Sequence, residues 1–413
     1  MTTPVSTTLA CNLCDHDAAS ILSTRSRSGA ALRSVCCLRC GLSWSDPRPH
    51  DARAFYENEY RVAYKQTFEP QPKHVLRAGH VAIDRARKIA GLLGSPREIL
   101  DVGSGGGEFA YLLKKMGHTV TGVEPNRGYA GYAEREYRLS VKRGFVGDTA
   151  LADTAYDIIT VWHVLEHTES PRDVLAQLQR ALRPDGRLVV EVPNLEAICQ
   201  SPRSSFHEAH LYTFNPATLE AMGRRAGLAL QSLKLSDDGG NLTAVFCMGP
   251  PAITAQIDGN HDRVATIVRK HTPIAHLLTA HPYRRLGGRL GRLIDEKVAL
   301  RSGQTGRALL DNLYAPHAGK LAPASTAAAG KALPFFPLAV AALLMGVTLD
   351  LILIHNEALS KLITAAGAWA LYAILQAGVI AALWMRVARG SKRPADYAKV
   401  ASLTVPLFLI PEC

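Results

Sequence analysis

An α/β fold with a mostly parallel sheet is what this 413-residue sequence predicts for its central part. Three observations carry that expectation. Between residues 95 and 249, short β-branched runs alternate with amphipathic stretches. The first run, "REILDVGSGGGEF", ends in an acid and passes through a glycine-rich turn into a helical pattern. The next, "TVTGVEPN", ends in Glu124, so the two read as one βαβ unit.

Bulk properties set the frame. The length suits two or three domains. The chain holds 47 Lys and Arg against 36 Asp and Glu, a net charge of +11, which favours anionic partners. Aromatic residues make up 7%, too few for a base-stacking platform, so no nucleic-acid partner is expected. "MTTPVSTTLACNLC" has neither a basic start nor an apolar core, so no secretory leader is expected. Reduced cysteines, suited to metal rather than disulfides, follow from that.

Five of the eight cysteines fall in the first 60 residues. "CNLC" (Cys11, Cys14) and "CLRC" (Cys37, Cys40) are two C-x-x-C knuckles separated by 22 residues. Four thiolates so spaced can close a tetrahedron around Zn²⁺, and a small ribbon with little core needs such a metal to fold. Cys36 competes with Cys37, but Cys37 gives the tight knuckle with Gly41 following. A zinc ribbon over residues 1–60 is expected. Its site is structural, because four cysteines leave no open position.

In "ILDVGSGGGEF" the helix after the glycines places Phe109, Leu112, Leu113 and Met116 on one face. A dinucleotide loop would read G-x-G-x-x-G; here the glycines are Gly103, Gly105 and Gly107, with Glu108 following and Asp101 two residues ahead. Carboxylates beside a pyrophosphate would repel it. They suit a cofactor with cationic groups and no phosphate, which S-adenosylmethionine is. Glu124 lies 21 residues beyond Gly103, the distance at which an acid grips a ribose diol.

Further strands are expected at "YDIITVWHV" (Tyr156 to Val164), "GRLVVEVPN" (Gly186 to Asn194, entered by the turn "RPDG") and "NLTAVFCMG" (Asn241 to Gly249). Between the first two, "SPRDVLAQLQRAL" is a helix with Ser170 as N-cap, Pro171 at N1 and Asp173 at N3.

With these segments in order, residues 97–249 resemble the class I S-adenosylmethionine-dependent methyltransferases, most of all the small-molecule branch with the ubiquinone-biosynthesis enzymes. The matching stretches are "LDVGSGGG", "GVEPN", "GDTALAD", "YDIITVWHVLEHTESP", "LRPDGRLVVEVPN" and "FHEAHLYTFNPATLEAMGRRAGL". The resemblance implies a Rossmann-like, seven-stranded, mostly parallel sheet over a domain at 61–249. It implies that Asp101, Gly103 and Gly105 line the methionine part of the cofactor, with Ser104 and Gly107 completing the loop. Glu124 takes the ribose hydroxyls, Asp148 approaches the adenine, and His163 joins the cofactor-binding set. The N-terminal part, with "CGLSWSDPRP" and "FYENEYRVAY", resembles the zinc-binding region fused to sugar and glycan methyltransferases. Their acceptors include nucleotide-linked deoxysugars and glycan hydroxyls.

Methyl transfer is an in-line displacement at carbon, and a hydroxyl or carbon acid needs a base with a pKa near the working pH, which favours histidine. "WHVLEH" offers His163, Glu166 and His167 at the carboxyl end of the fourth strand. "FHEAHLY" adds His207, Glu208, His210 and Tyr212. His210 or His167 is the expected base, with Glu166 orienting it. The sugar C-methyltransferases carry a contiguous Glu-His in this segment, whereas Ala209 separates Glu208 from His210 here. No helical His/Glu spacing demands a catalytic metal.

Residues 250–332 read as a basic helical segment and a linker. Residues 261–301 hold nine Lys and Arg against three acids, with Arg285, Arg289 and Arg292 at helical spacing, a pattern suited to an anionic bilayer. "GKLAPASTAAAGKA" (Gly319 to Ala332) is linker-like. Leu333 to Ile354 (22 residues, interrupted by Asp350) and Leu362 to Met385 (24 residues without a charge) are each long enough to span a bilayer, which takes about 20 residues. They predict a transmembrane hairpin at 333–385 and an interfacial or cytosolic tail at 386–413. Basic residues outside both ends place the catalytic part at the cytosolic face of a bacterial-type inner membrane. The expected function is O- or C-methylation of a sugar, glycan or lipid-linked intermediate. The alternatives are methylation of a quinone or isoprenoid phenol, and a catalytically silent membrane scaffold.

Overall fold

The computed structural model describes residues 4–48, 68–253, 255–282, 285, 296, 299–300 and 304–317. The aromatic stretch at 55–64, Arg289 and Arg292, the linker and the two apolar runs at 333–385 lie outside them. Among the described residues, no helix is long and apolar enough to cross a membrane. Apart from residues 296 and 299, those described fall in one compact unit.

The chain opens with strands β1 (Pro4–Ser6), β2 (Ala18–Arg25), β3 (Ala31–Cys37) and β4 (Ser43–Ser45). They pair antiparallel in that order. Helix α1 (Pro72–Lys88) follows, then β5 (Glu98–Val102), α2 (Glu108–Lys115), β6 (Thr119–Glu124), α3 (Arg127–Tyr137) and β7 (Ser140–Arg143). The second half runs β8 (Tyr156–Trp162), α4 (Pro171–Ala181), β9 (Leu182–Pro193), β10 (Tyr212–Thr213), α5 (Pro216–Arg225), β11 (Leu228–Leu235) and β12 (Asn241–Met248). Helices α6 (Asn260–Lys270), α7 (Pro273–Leu277) and α8 (Gly306–Tyr314) complete it.

The expected mostly parallel sheet has seven strands in the order β11-β12-β9-β8-β5-β6-β7. Only β12 runs against its neighbours, pairing antiparallel with both β11 and β9. Because helices cover both faces, the central strands are apolar on both sides rather than alternating with polar residues. Leu100, Val102, Ile159, Val161, Leu188 and Val190 pack on one face. Ile99, Ile158 and Val189 pack on the other, against Phe109 and Leu112 of α2. Each such side chain contributes roughly 1.5–3 kcal/mol by leaving water.

After β5 the chain winds outward through β6 and β7, then returns to place β8 on the other side of β5. The carboxyl ends of β5 and β8 therefore diverge, which opens a crevice there.

Several boundaries differ from the sequence reading. The sheet pairing of β9 begins at Leu182, opposite Tyr156, so the "RPDG" stretch is part of the strand. Pro171 does open α4, but the Ser170 hydroxyl caps no backbone group. It donates instead to Asp173 Oδ2 (2.6 Å) and accepts from Asn12 Nδ2 (3.0 Å), joining the cysteine-rich unit to α4. Helix α8, in a region read as basic segment and linker, is a packing element: Leu309, Leu310 and Tyr314 bury against α1 and α2. A Cβ on Gly79 of α1 would lie 2.7 Å from Leu310 and Leu313, so only glycine allows this approach. The Tyr314 hydroxyl donates to the Glu108 carbonyl at 2.9 Å.

The first antiparallel sheet takes its fifth strand from much later in the chain: β10 pairs with β4, Tyr212 opposite Trp44 and Thr213 opposite Ser43. The cysteine-rich segment and the segment that follows β9 thus share a sheet.

Gly107 holds the turn into α2 at φ +87°, and a Cβ there would lie 2.8 Å from Ala133 Cβ and 2.7 Å from Leu139. Gly107→Ala is expected to cost about 1–3 kcal/mol. A urea titration would show this as a lowered midpoint, and an unchanged midpoint would contradict the strain.

Candidate active site

A cavity of about 900 Å³ opens at the carboxyl ends of β5, β6 and β8. One half is built by the glycine loop. Gly103 (φ +70°) and Ser104 both donate their N–H to the Val123 carbonyl, at 2.7 and 3.1 Å. A Cβ on Gly103 would lie 2.3 Å from Val164 Cγ2, so the loop reaches the end of β8 only because side-chain bulk is absent. Glu124, buried at the end of β6, accepts from the Gly105 N–H (2.8 Å) and the Asn126 N–H (3.0 Å). Each of its oxygens keeps a second lone pair, enough for a diol. The Ser104 hydroxyl is buried in this wall with no partner among the described residues. Asp148 lines the same half, exposed on the short turn Val146–Asp148.

Asp101 and Gly107 stand behind the wall rather than in it. Asp101 accepts from Thr160 Oγ1 at 2.7 Å, and burial pushes its carboxyl up to about 6, against the opposing pull of Thr160 and Arg85. Its place is beneath the loop, as a support.

The other half is histidine-rich. His163 follows β8 in the left-handed region at φ +57°, a conformation rare outside glycine that suggests imposed geometry. Its Nδ1 lies 3.3 Å from Glu166 Oε1 and its Nε2 3.4 Å from Glu191 Oε1. Burial alone would lower the imidazole pKa, but the two carboxylates outweigh it and hold it up at about 9. Burial likewise pushes both carboxylates up, and the same contacts overcome it: Glu166 and Glu191 are each held near 2. Glu191 is bonded also by Lys88 Nζ and by Thr243 Oγ1 (2.7 Å).

His167 Nδ1 donates to the Ala209 carbonyl at 2.7 Å, which puts the basic lone pair on Nε2, 3.9 Å from Glu166 Oε1. The His210 ring meets that of His167 edge to face at 4.8 Å and stacks on that of His207 at 4.8 Å. Burial, and then His167, lower His210 to about 3. Glu166, His167 and His210 bring ligand atoms within 4.8 Å of one another, close enough to share an ion, although no sequence spacing announced it.

In the cysteine-rich unit, Cys11 and Cys40 bring their sulfurs to 3.5 Å and Cys14 and Cys37 to 3.4 Å, and all four converge. Cys36 is outside the group, its thiol directed to the Gly41 carbonyl at 3.5 Å. Four converging thiols of this kind fit a tetrahedral metal.

Three residues escaped the sequence reading. Arg85 of α1 lines the cavity, its guanidinium 5.0 Å over Trp162 and its buried Nε without a partner among the described residues. Nothing in the helical pattern marks it. Lys88 is equally unmarked. Glu191 did carry a signal, as one acid inside the apolar run "LVVEVP".

Residues 75–233 match the family model described as a methyltransferase domain. A ubiquinone biosynthesis O-methyltransferase of Nitrosococcus oceani is 28% identical over 204 residues, which cover 45% of this chain and 84% of that protein. The mitochondrial ubiquinone biosynthesis O-methyltransferase of Schizosaccharomyces pombe is 35% identical over 104 residues, 23% of this chain and 38% of that protein. The chain thus spans well under half the length of that relative. Among solved structures, the 1,6-didemethyltoxoflavin-N1-methyltransferase of Burkholderia thailandensis, with S-adenosylhomocysteine bound, matches at 20% identity and a TM-score of 0.40, over 52% of this chain and 97% of that one.

The charge network carries a pH signature. With its folded pKa raised from 6.5 to about 9, His163 contributes stability in full below 6.5, and this is lost as pH rises through about 9. Glu166 and Glu191, lowered from 4.5 to about 2, contribute above 4.5 and lose it as pH falls towards 2. His163→Gln is expected to flatten the alkaline decline of the thermal midpoint between about pH 6.5 and about pH 9. A decline of undiminished slope in the variant would place the titration elsewhere.

Proposed function

We propose, from the match of residues 75–233 to the methyltransferase-domain model, that this chain transfers a methyl group from S-adenosylmethionine to a hydroxyl of a small-molecule acceptor. The single observation that carries the reading is a cavity with two chemically distinct halves, one of loop amides and carboxylates and one of imidazoles. The first fits S-adenosylmethionine. Glu124 offers two acceptor oxygens to the ribose, Asp148 stands at the adenine side, and Ser104 has a buried hydroxyl to satisfy. Arg85 meets the methionine carboxylate, giving its buried Nε a partner.

The cofactor supplies a methyl group on a positively charged sulfur. His167 Nε2 takes the acceptor hydroxyl proton as the oxygen–carbon bond forms and the carbon–sulfur bond breaks, leaving S-adenosylhomocysteine and an imidazolium. Glu166 beside it stabilises that imidazolium. His210, held near 3, stays neutral and shapes the acceptor pocket. His167 is therefore preferred to His210 as the base.

The acceptor is a sugar, glycan or lipid-linked intermediate, on the strength of the cysteine-rich unit that walls the cavity. The two knuckles hold a structural Zn²⁺. The apolar runs at 333–385 anchor the chain to a bacterial-type inner membrane with its catalytic part cytosolic. A second reading, methylation of a quinone-type phenol, is favoured by the names of the relatives.

Glu124→Ala is expected to abolish S-adenosylmethionine binding by calorimetry. His167→Ala should keep that binding and lose about 10²–10⁴-fold in kcat. Full turnover by His167→Ala would remove it as the base.

Methyl-labelled cofactor fed to a native lysate tests the acceptor class. Label in the lipid extract supports a lipid-linked or quinone acceptor, and label in soluble sugars supports the sugar reading. Protein that labels nothing would instead fit a silent scaffold.

A further inference from the structure

The first cysteine knuckle lies against the amino end of α4. Its turn is closed by the Asp15 N–H, which donates to the Cys11 carbonyl at 2.8 Å. Asn12, between Cys11 and Cys14, reaches across with both polar atoms of its amide. Its Oδ1 accepts from the Arg172 N–H at 3.0 Å, and its Nδ2 donates to the Ser170 hydroxyl at 3.0 Å. Because Ser170 caps no backbone group, the side chain that serves an open N–H of this helix comes from 160 residues away. Asp15 adds ion pairs to Arg172 (2.9 Å) and to Arg225 of α5 (3.0 Å).

The second knuckle leads to a different part of the wall. Strand β4 starts at Ser43, just past Cys40. At its end Ser45 donates its N–H to the Leu211 carbonyl (3.0 Å) and its hydroxyl to the His210 carbonyl (3.1 Å). Ser170 and His210 both line the cavity. The thiols approach crosswise between the knuckles, Cys11 to Cys40 and Cys14 to Cys37, so an ion closed by all four ties the two turns together. Two of the four strands here are three residues long, so the ribbon itself holds those turns weakly, and metal binding becomes part of its folding free energy.

Resting on the zinc and methyltransferase readings, we propose that Asn12 and Ser45 are positioning residues through which a metal held by the four cysteines sets the acceptor wall. Asn12 fixes the amino end of α4, and Ser45 fixes the segment 206–214 that carries the histidines. The cofactor half stands on other supports. Gly103 and Ser104 bond to Val123, and Glu124 accepts from Gly105 and Asn126, all without the cysteine-rich unit. Metal loading therefore controls one half of the cavity and not the other. A chain without metal keeps its cofactor site and loses the order of the wall that faces the acceptor.

The test compares full-length protein loaded with zinc, loaded with cobalt(II), and freed of metal by a chelator. The cobalt form is expected to show the intense thiolate-to-metal absorption of a four-sulfur site. Metal removal should speed hydrogen exchange about tenfold in residues 168–176 and 206–214, leave residues 98–107 and 119–126 protected, and change S-adenosylhomocysteine affinity by less than about twofold. In the cobalt form, Asn12→Ala should speed exchange about fivefold at the amino end of α4 alone, and Ser45→Ala in residues 206–214 alone, both with the absorption intact. Asn12→Asp, which still offers an acceptor to Arg172, should restore the protection. Unchanged exchange in both segments after metal removal would overturn the coupling and leave the zinc and methyltransferase readings standing. Loss of S-adenosylhomocysteine binding, or of protection throughout the sheet, would make the metal a general requirement of the fold and overturn its selective role. A missing cobalt absorption would overturn the zinc reading and the proposal with it. Failure of the zinc form to bind S-adenosylhomocysteine would overturn the methyltransferase reading, and with it the acceptor wall.

Discussion

The structure around the cavity depends on one constraint: carboxylates buried at the end of the sheet must be matched by cations or by N–H donors. Asp101, Glu124, Glu166 and Glu191 are all nearly removed from water at the carboxyl ends of β5, β6, β8 and β9. Unpaired charges there would carry a desolvation cost of several kcal/mol each. Three cationic groups answer Asp101, Glu166 and Glu191, while Glu124 is met by the Gly105 and Asn126 N–H groups. His163 bridges Glu166 and Glu191 at 3.3 and 3.4 Å, Lys88 bonds Glu191, and Arg85 acts on Asp101, Glu191, Glu108 and Glu166 together. Two of the three come from α1, so that helix has to be held in place. Helix α8 does this, with Leu310 lodged against Gly79 and the Tyr314 hydroxyl bonded to the carbonyl of Glu108, the first residue of α2. A helix late in the chain thereby secures the charge balance at the front of the sheet.

The acceptor side is held by a different device. The segment from Phe206 to Phe214 carries His207 and His210 and would otherwise be a long crossover between β9 and α5. Its end forms β10, the fifth strand of the cysteine-rich sheet. Ser45 reinforces the junction: its N–H donates to the Leu211 carbonyl at 3.0 Å and its hydroxyl to the His210 carbonyl at 3.1 Å. Asn260 of α6 donates to the Cys40 carbonyl at 2.8 Å and to it returns the chain that follows β12. The knuckles that would close around a metal are therefore mechanically continuous with the histidines of the cavity.

Much of this was legible in the sequence, and the reasons differ by feature. Strands β5, β6, β8, β9 and β12 announce themselves because each is a short β-branched run between turn residues. Glu124 was readable because its distance from Gly103 follows from the length of one βαβ unit. The cysteine knuckles were readable because the C-x-x-C spacing is local. Contacts made by distant segments were not. Nothing local tells that Tyr212 and Thr213 complete a sheet begun near residue 4, or that α8 belongs to the layer over α1. Arg85 and Lys88 look like ordinary polar positions on an amphipathic helix until Glu191 and Asp101 are placed beside them. Asp101 was legible as a chemical anomaly, an acid at the end of an apolar strand, but its place behind the wall depends on Thr160 of the neighbouring strand.

The division of the cavity also matches the path of charge in the proposed transfer. The cofactor arrives with its positive charge on sulfur, and that half of the cavity is rich in carboxylate. When the methyl leaves, sulfur becomes neutral, and the charge must appear elsewhere or be carried off as a proton. In the proposed transfer His167 receives it, with Nδ1 committed to the Ala209 carbonyl and Nε2 on the Glu166 side. Glu166 is held ionised near pH 2 and above, and its Oε2 has no partner among the described residues. It is thus preset to favour an imidazolium that forms only as the reaction proceeds, which is where fixed charge lowers a barrier most effectively. His163, already protonated at neutral pH, cannot compete for that proton, and His210, held near 3, does not retain it. Among the histidines that line the cavity, His163 and His210 are pushed apart in basicity by their surroundings, and the proposed transfer uses His167, whose Nδ1 is committed to the Ala209 carbonyl.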